Sequence, residues 1–321
     1  MIAGTVLALA GGVGGAKLAD GLAALLGGRL GVIVNTGDDF EHMGLSVSPD
    51  LDTVMYTLAG IANPETGWGI AGESWAFLDQ AARLGGPSWF RLGDRDLATH
   101  VLRTERLRRG ERLSAITADL CRRLGIAAHV LPMSDDPVRT VVETAEGPLA
   151  FQEYFVRRRC EVPVTGFAFA GAAEARPTEE IAAALAAADL AAIVICPSNP
   201  FVSVDPILAV PGLRPALRRR GAPIVAVSPI IGGAAVKGPA AKMMRELRLD
   251  PSALTVAEHY AGFIDGMLID EADGSLAPRL EARGLAVRIA PTLMKTQDDR
   301  RAVARQALAL ARAVAARRQV P

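Results

Sequence analysis

Residues 5–34 carry the pattern of a strand, a glycine-rich turn, a helix and a second strand. Residues 5–10 (TVLALA) form a continuous apolar run, typical of a strand buried on both faces of a parallel sheet. The segment GGVGGAK follows at residues 11–17, leucines recur at helical spacing over residues 16–26, and residues 30–34 are again apolar. This order predicts a βαβ unit, and therefore an α/β fold with a parallel sheet.

The remainder of the chain continues this alternation. Further buried strands are predicted at residues 190–195, 222–227, 267–270 and 286–290, and helices at residues 94–109, 113–124 and 298–318. Residues 138–144 and 149–155 are predicted to form an antiparallel hairpin added to the sheet. We therefore predict a Rossmann-like, doubly wound, mostly parallel sheet with an added antiparallel hairpin. The prediction is a single α/β nucleotide-binding domain over residues 1–321, with a largely helical insertion around residues 60–125.

Composition excludes several classes of function. The 35 Lys and Arg residues balance 35 Asp and Glu residues, so no basic field favours nucleic acid or an anionic membrane. The three cysteines are isolated and form no CxxC pair, which indicates a reducing compartment without structural zinc. The apolar start lacks a basic segment and no apolar run is long enough to span a membrane. We expect a cytoplasmic protein.

Three loops after predicted strands have the residue types that hold phosphate. The first is the segment at residues 11–17, whose glycines allow close approach of an anion and whose Lys17 adds charge. It matches neither GxGxxG, which would need glycine in place of Lys17, nor the GK[ST] of a P-loop. The other two are residues 197–203 and 228–239. Together they favour an extended anionic ligand, and Gly14→Val is expected to weaken its binding while leaving the fold intact.

Four carboxylates, those of Asp38, Asp39, Asp50 and Asp52, lie in a segment with few cations. Such a cluster repels itself unless a divalent cation or hydrogen-bond donors compensate, which suggests a metal–phosphate site. The alternative is that Asp38 begins a turn and Asp50 caps a helix.

Two further features are ambiguous. Trp68, Trp75 and Trp89 could form a platform for a flat ring or pack in the core. Asp94 is positioned to cap the helix that it begins, and His100 is interpreted as a packed surface histidine rather than a catalyst.

Six segments of the chain together carry a family resemblance. They are GGVGGAKL at 11–18, NTGDD at 35–39, SPDLDTV at 48–54, LGDRD at 92–96, PSNP at 197–200 and SPIIGG at 228–233. In this order they resemble the motifs of the CofD family of transferases. The resemblance extends from about residue 5 to residue 296. These enzymes are 2-phospho-L-lactate transferases of coenzyme F-420 biosynthesis, with relatives in bacteria that use phosphoenolpyruvate.

The resemblance implies a reaction. The donor is a guanosine diphosphate whose outer phosphate carries a small carboxylic acid, and the terminal hydroxyl of the deazaflavin Fo attacks that phosphate. GMP leaves, and Mg²⁺ neutralises much of the diphosphate charge. A homodimer is also implied.

The resemblance also assigns residues. Asp52 and Arg91 correspond to the Fo-binding positions, and we add Trp89 to them. Asp52 and Asp50 are the predicted catalytic residues, and Asp38, Asp39 and Asp52 the predicted metal ligands; for Asp52 the roles of ligand and base compete. The predicted nucleotide-binding residues are Gly12, Gly14, Gly15, Lys17, Ser198, Asn199, Ser203 and Ser228.

Alternatives remain open at this stage. A related branch of the superfamily binds nucleotide-sugars as a regulator without catalysis, and a nicotinamide-dependent oxidoreductase would also begin with a βαβ unit. The acid on the donor could be lactate, enolpyruvate or glycerate. The Ala- and Arg-rich, Lys-poor composition favours a non-archaeal lineage, and with it phosphoenolpyruvate.

Overall fold

The structure is a computed structural model that describes residues 2–219 and 221–318. Its strands are β1 Thr5–Ala10, β2 Leu30–Val34, β3 Phe40–His42, β4 Leu45–Val47, β5 His129–Pro132, β6 Arg139–Thr144, β7 Leu149–Ala150, β8 Val164–Ala170, β9 Leu190–Ile195, β10 Ile224–Val227, β11 Ile230–Ile231, β12 Ala234–Ala235, β13 Gly266–Ile269 and β14 Ala286–Ile289. Its helices are α1 Gly12–Leu26, α2 Pro49–Leu58, α3 Ala76–Arg83, α4 Asp94–Arg108, α5 Leu113–Arg123, α6 Glu179–Ala186, α7 Asp205–Ala209, α8 Leu213–Arg219, α9 Ala240–Glu246, α10 Ala253–His259, α11 Ala277–Glu281 and α12 Gln297–Arg318.

The central sheet has the strand order β14-β13-β10-β9-β1-β2-β5, and all of its neighbouring strands are parallel. The chain runs from β1 outward to β2 and β5, then returns to β9 on the other side of β1 and continues to β10, β13 and β14. This is the doubly wound order, so the predicted fold class is confirmed. The direction of winding reverses between β1 and β9, and such a point is where ligands bind in folds of this kind.

Alternation along β1 builds a core on each face of the sheet. Val6, Ala8 and Ala10 pack into one apolar cluster, which also contains residues of α1, α2 and α12. Leu7 and Leu9 belong to the opposite cluster, together with residues of α6 to α10. Because successive side chains point to opposite faces, an uninterrupted apolar strand is what a sheet covered on both sides requires.

The antiparallel hairpin forms, but it does not join the central sheet. β6 pairs with β7 and β8 in a separate three-stranded antiparallel sheet. The second strand is also shorter than predicted, since a π-helical turn begins at Glu153. Phe151 and Tyr154 are both buried in the same cluster. Residues three apart share a face of a helix but lie on opposite faces of a strand, so burying both favours the turn.

The glycine-rich segment is the start of a helix rather than a loop. The sequence predicted a helix from residue 16, whereas α1 begins at Gly12, which has φ of +62°. A Cβ atom added at Gly14 would lie 2.5 Å from the carbonyl oxygen of Pro197, and one at Gly15 would lie 2.4 Å from Oγ of Ser198. These glycines therefore let α1 begin in contact with the loop after β9.

Helices α3, α4 and α5 lie between α2 and β5 in the chain, and α4 and α5 agree closely with the predicted helices. α4 packs on α3, α5 and β4. Within the described parts of the chain, no helix combines the length and apolar character needed to cross a membrane.

Candidate active site

A cavity of about 810 Å³ lies at the carboxyl edge of the central sheet. Loops that follow β1, β2, β9, β10 and β14 line it, together with α2, α4 and residues 66–69 and 89–91. A second cavity of about 600 Å³ lies among Arg218, Asp265 and Arg283, near the amino ends of β13 and β14. The first is at the switch point between β1 and β9, where ligands of doubly wound sheets bind.

Most of the predicted nucleotide-binding residues lie together on one side of this cavity. Those that line it are Gly12, Gly14, Lys17, Ser198, Asn199, Ser203 and Ser228. Gly15 does not line it, because it faces Ser198. The first-turn N–H groups of α1 lack helical partners and carry the positive end of the helix dipole, which favours an anion there.

The polar side chains of these loops mostly bond to the protein itself. Oγ of Ser198 accepts from the backbone N–H of Gly11 at 3.0 Å and donates to its carbonyl oxygen at 2.8 Å. Asn199 accepts from the N–H of Phe201, and Oγ of Ser228 donates to the carbonyl oxygen of Ile230. Ser198 therefore joins the loop after β9 to the start of α1, whereas these bonds of Asn199 and Ser228 stabilise their own loops.

Lys17 brings a positive charge to the cavity beside the start of α1. Its Nζ donates to the carbonyl oxygen of Met294 at 3.0 Å. Burial lowers the pKa of Lys17, and the charges of Arg300 and Lys237 lower it further. An anion bound between Lys17 and Lys237, which also lines the cavity, would relieve this repulsion.

Asp50 connects three elements beneath the cavity. Its Oδ1 accepts from the backbone N–H of Gly12 at 2.7 Å and its Oδ2 from Nδ2 of Asn35 at 3.0 Å. Asp50 therefore caps the start of α1 rather than its own helix. Burial raises the pKa of Asp50 to about 6, although these two hydrogen bonds lower it. Its carboxylate lines the cavity.

Asp38 and Asp39 are buried with incomplete hydrogen bonding. Burial raises the pKa of both carboxyls, to about 7 for Asp39, and the nearby Asp50 raises that of Asp38 further. Oδ2 of Asp39 accepts from Oγ of Ser48 at 2.7 Å. Among the described residues, Oδ1 of Asp38 and Oδ1 of Asp39 have no hydrogen-bond partner. Asp38 lines the cavity, whereas Asp39 is not among its lining residues.

Asp39→Asn is expected to stabilise the protein at pH 8. Between about pH 4 and pH 7, folded Asp39 keeps a proton that the unfolded chain has lost, so stability falls as pH rises through this range. Asparagine cannot ionise and avoids this loss. We expect thermal unfolding in a chelating buffer to show a Tm higher by roughly 3 °C at pH 8, with a smaller gain at pH 5. The exposed Asp250→Asn is the control; a gain independent of pH would contradict the prediction.

Asp52 belongs to a buried cluster with three side chains of α4. Both of its carboxylate oxygens accept from the guanidinium of Arg103, with Nη1 to Oδ2 at 3.1 Å. Nδ1 of His100 lies 3.7 Å from Oδ2 of Asp52, and Nε2 of His100 lies 3.3 Å from Oδ1 of Asp96. Asp52, Asp96 and His100 line the cavity. Their ligand atoms lie within 4.8 Å of one another, so this group could hold a metal ion.

The interpretation of His100 as a surface residue is wrong. The side chain is 1% exposed and lies between two carboxylates. Asp96, His100 and Arg103 recur at helical spacing on one face of α4, which is the signal that sequence reasoning missed. The cluster forms because α4 packs near α2, at a separation that local patterns do not specify.

Aromatic side chains also line the cavity. Trp89 and Phe90 line it, and Phe40 and His42 of β3 lie behind them, with ring centroids 4.8 to 6.1 Å apart. Trp68, Phe151 and Phe155 also line the cavity, and the last two are stacked. Trp75 does not line it; the guanidinium of Arg91 lies 4.1 Å from the centre of its ring. Sequence reasoning named the tryptophans but missed these phenylalanines.

Residues 6–306 match the family described as 2-phospho-L-lactate transferase CofD. The chain belongs to the CofD family. It is 45% identical to the phosphoenolpyruvate transferase of Streptomyces griseus, over 97% of this chain and 99% of that protein. The phosphoenolpyruvate transferase of Thermobifida fusca is 42% identical over 95% of this chain and 97% of that protein. The recognition made from the motifs is thereby confirmed.

A solved structure supports the fold of this CofD-family chain. A Bacillus halodurans protein of the UPF0052 family superposes with a TM-score of 0.63, covering 96% of this chain and all of that one. The two sequences are 16% identical, so the likeness concerns the fold alone.

Proposed function

We propose that this protein transfers a phosphoenolpyruvyl group from its guanosine diphosphate conjugate to the terminal hydroxyl of the deazaflavin Fo, releasing GMP, in coenzyme F-420 biosynthesis. The observation that carries the proposal is one cavity lined by two unlike sets of residues. The start of α1 and Lys17 suit a diphosphate, and Trp89 and Phe90 suit a flat ring. Relatives named phosphoenolpyruvate transferases supply the choice of acid.

The carboxylates that line the cavity are proposed to take part in the transfer. In the proposed step, the acceptor oxygen bonds to the outer phosphorus as the bond from that phosphorus to the oxygen of GMP breaks. Asp52 orients the acceptor hydroxyl and receives its proton. Arg91 and Trp89 hold the deazaflavin ring. Because GMP is a stable leaving group once its charge is neutralised, alignment of the substrates supplies much of the rate enhancement.

Asp38 and Asp39 have the chemistry of a magnesium site. Each keeps a buried oxygen without a hydrogen-bond partner, and burial raises the pKa of both carboxyls, which a bound cation would reverse. Arg103 takes one lone pair of each Asp52 oxygen, and the second lone pair can accept from the acceptor hydroxyl or bind a metal ion, so the predicted roles of base and third ligand still compete. Mg²⁺ bound here would neutralise charge on the diphosphate.

The proposal is tested by mass spectrometry of the product formed from Fo with each guanylylated acid. We expect the enolpyruvyl conjugate to react fastest, EDTA to stop turnover and added Mg²⁺ to restore it. Full activity after exhaustive chelation would contradict the metal assignment but not the proposed transfer. Binding of UDP-sugars with no affinity for Fo would instead favour the nucleotide-sugar-binding regulator. The homodimer and the cytoplasmic location stay predictions.

Arg91→Ala is expected to affect the acceptor selectively. Arg91 lines the cavity, and its guanidinium stacks on Trp75. Its loss therefore removes the proposed polar contact to Fo and the packing on that ring. We expect the KM for Fo to rise about tenfold, equivalent to about 1.4 kcal/mol, while the KM for the guanosine donor changes less than about twofold.

Arg95→Ala provides the control for this measurement. Arg95 is exposed, bonds to the carbonyl oxygen of Ala71 and does not line the cavity. Equal effects of Arg91→Ala on the two substrates would contradict an acceptor role.

A further inference from the structure

Arg103 is a buried charge that pairs with Asp52. Its side chain is 1% exposed, and its guanidinium donates to both oxygens of Asp52. Nη1 also lies 3.4 Å from Nδ1 of His100 and 3.5 Å from the carbonyl oxygen of Ser46. Burial alone would lower the pKa of Arg103, but the ion pair with Asp52 raises it above its usual range. Burying a guanidinium costs desolvation free energy, so stability alone does not explain the presence of Arg103 at this position.

Arg103 lies outside the cavity lining, although its partner Asp52 is part of that lining. Asp52, Asp96 and His100 reach the cavity wall, whereas Arg103 does not. The bidentate contact fixes the plane of the Asp52 carboxylate as well as its location, because a planar guanidinium matches two carboxylate oxygens at once. A substrate in the cavity would therefore contact the Asp52 carboxylate, held in one orientation, and would not contact Arg103.

A second set of contacts holds Asp96 and His100, which lie in the same buried cluster as Asp52 and Arg103. Tyr56 of α2 donates its hydroxyl to Oδ1 of Asp96 at 2.7 Å, and Asp96 lies beside His100. His100 in turn lies between Asp96 and Asp52. α2 and α4 are thus joined by polar contacts at Tyr56 as well as at Asp52, which limits how far the Asp52 carboxylate can move.

We propose that Arg103 is a positioning residue that holds the Asp52 carboxylate towards the acceptor hydroxyl, with His100 and Asp96 limiting its rotation. This inference rests on the proposed function of Asp52. Arg103 then affects turnover by holding Asp52 in place and has little effect on binding of the nucleotide.

Arg103→Lys is the first test. Lysine keeps the charge, but its ammonium cannot match both carboxylate oxygens. We expect kcat to fall about 100-fold, since a displacement of about 1 Å has effects of that size, while the Kd for GDP changes less than about twofold. Arg106→Lys is the matched control, because Arg106 lies one turn further along α4, pairs with Glu111 and Asp119 and does not line the cavity. Equal kcat values for the two variants would overturn the proposal.

A double-mutant cycle separates positioning from a structural role. If Arg103 acts through Asp52, the losses in kcat from Arg103→Met and Asp52→Asn will not add, and the double variant will match Asp52→Asn. Removing both charges also leaves no unpaired buried ion, so the double variant should fold even where Arg103→Met does not. Losses that multiply would overturn the proposal, and so would a double variant that is markedly less active than Asp52→Asn.

A crystal structure of Arg103→Lys gives a readout that does not depend on the reaction. We expect the Asp52 carboxylate to be rotated or displaced from its wild-type position. An unmoved carboxylate would refute positioning even in an active enzyme. A wild-type protein that turns over none of the guanylylated acids would refute the proposed function, and the position of Asp52 would still decide the role of Arg103.

Discussion

Asp52→Asn is expected to lower kcat by about three orders of magnitude. Asparagine keeps the shape of the side chain but cannot accept the proton of the acceptor hydroxyl or bear the charge that Arg103 pairs with. The Kd for GDP should change little, because Asp52 is not among the predicted nucleotide-binding residues. Steady-state kinetics with saturating Fo and calorimetric titration of GDP measure the two quantities.

The same substitution is also expected to destabilise the fold by about 3 kcal/mol, because it leaves the buried guanidinium of Arg103 without its carboxylate partner. Asp20→Asn is the control, since Asp20 pairs with Arg300 at 3.0 Å in a more exposed contact and does not line the cavity. We expect it to cost about 1 kcal/mol or less. A fully active Asp52→Asn variant would remove Asp52 from the mechanism.

Gly14→Ala is expected to destabilise the protein by about 3 kcal/mol and to weaken GDP binding at least about tenfold. The added methyl group would lie 2.5 Å from the carbonyl oxygen of Pro197, so the start of α1 and the loop after β9 must separate. The prediction that Gly14→Val leaves the fold intact is therefore wrong, because the glycine packs against the backbone as well as near the ligand.

Gly28→Ala provides the matched control for urea unfolding and GDP titration. A Cβ atom at Gly28 would lie 3.6 Å from the nearest atom, the carbonyl oxygen of Ala127, which is an ordinary contact. We expect stability and GDP affinity close to those of the wild type. Equal stability of the two alanine variants would show that the backbone near Gly14 gives way easily.

The sequence by itself determined the class of fold and the edge of the sheet at which the candidate site was predicted. The apolar runs of β1, β2 and β9 are continuous, and a strand with no polar side is stable only when both faces are covered. The helices between them require parallel crossovers, and the carboxyl ends of parallel strands meet at one edge. For this reason, motifs such as residues 11–17 and 197–203 were expected to lie together before any contact was known.

Only the tertiary structure decided which partner each polar side chain takes. Asp50 caps α1, and Asp94 caps the first turn of α3 rather than its own helix. Asp52 pairs with Arg103, which lies 51 residues further along the chain. A carboxylate in the sequence accepts from whichever donor packing brings within about 3 Å, and propensity or spacing cannot specify that donor. The pKa of Asp39 and the packing of Gly14 depend on such contacts, since both follow from what surrounds the residue in space.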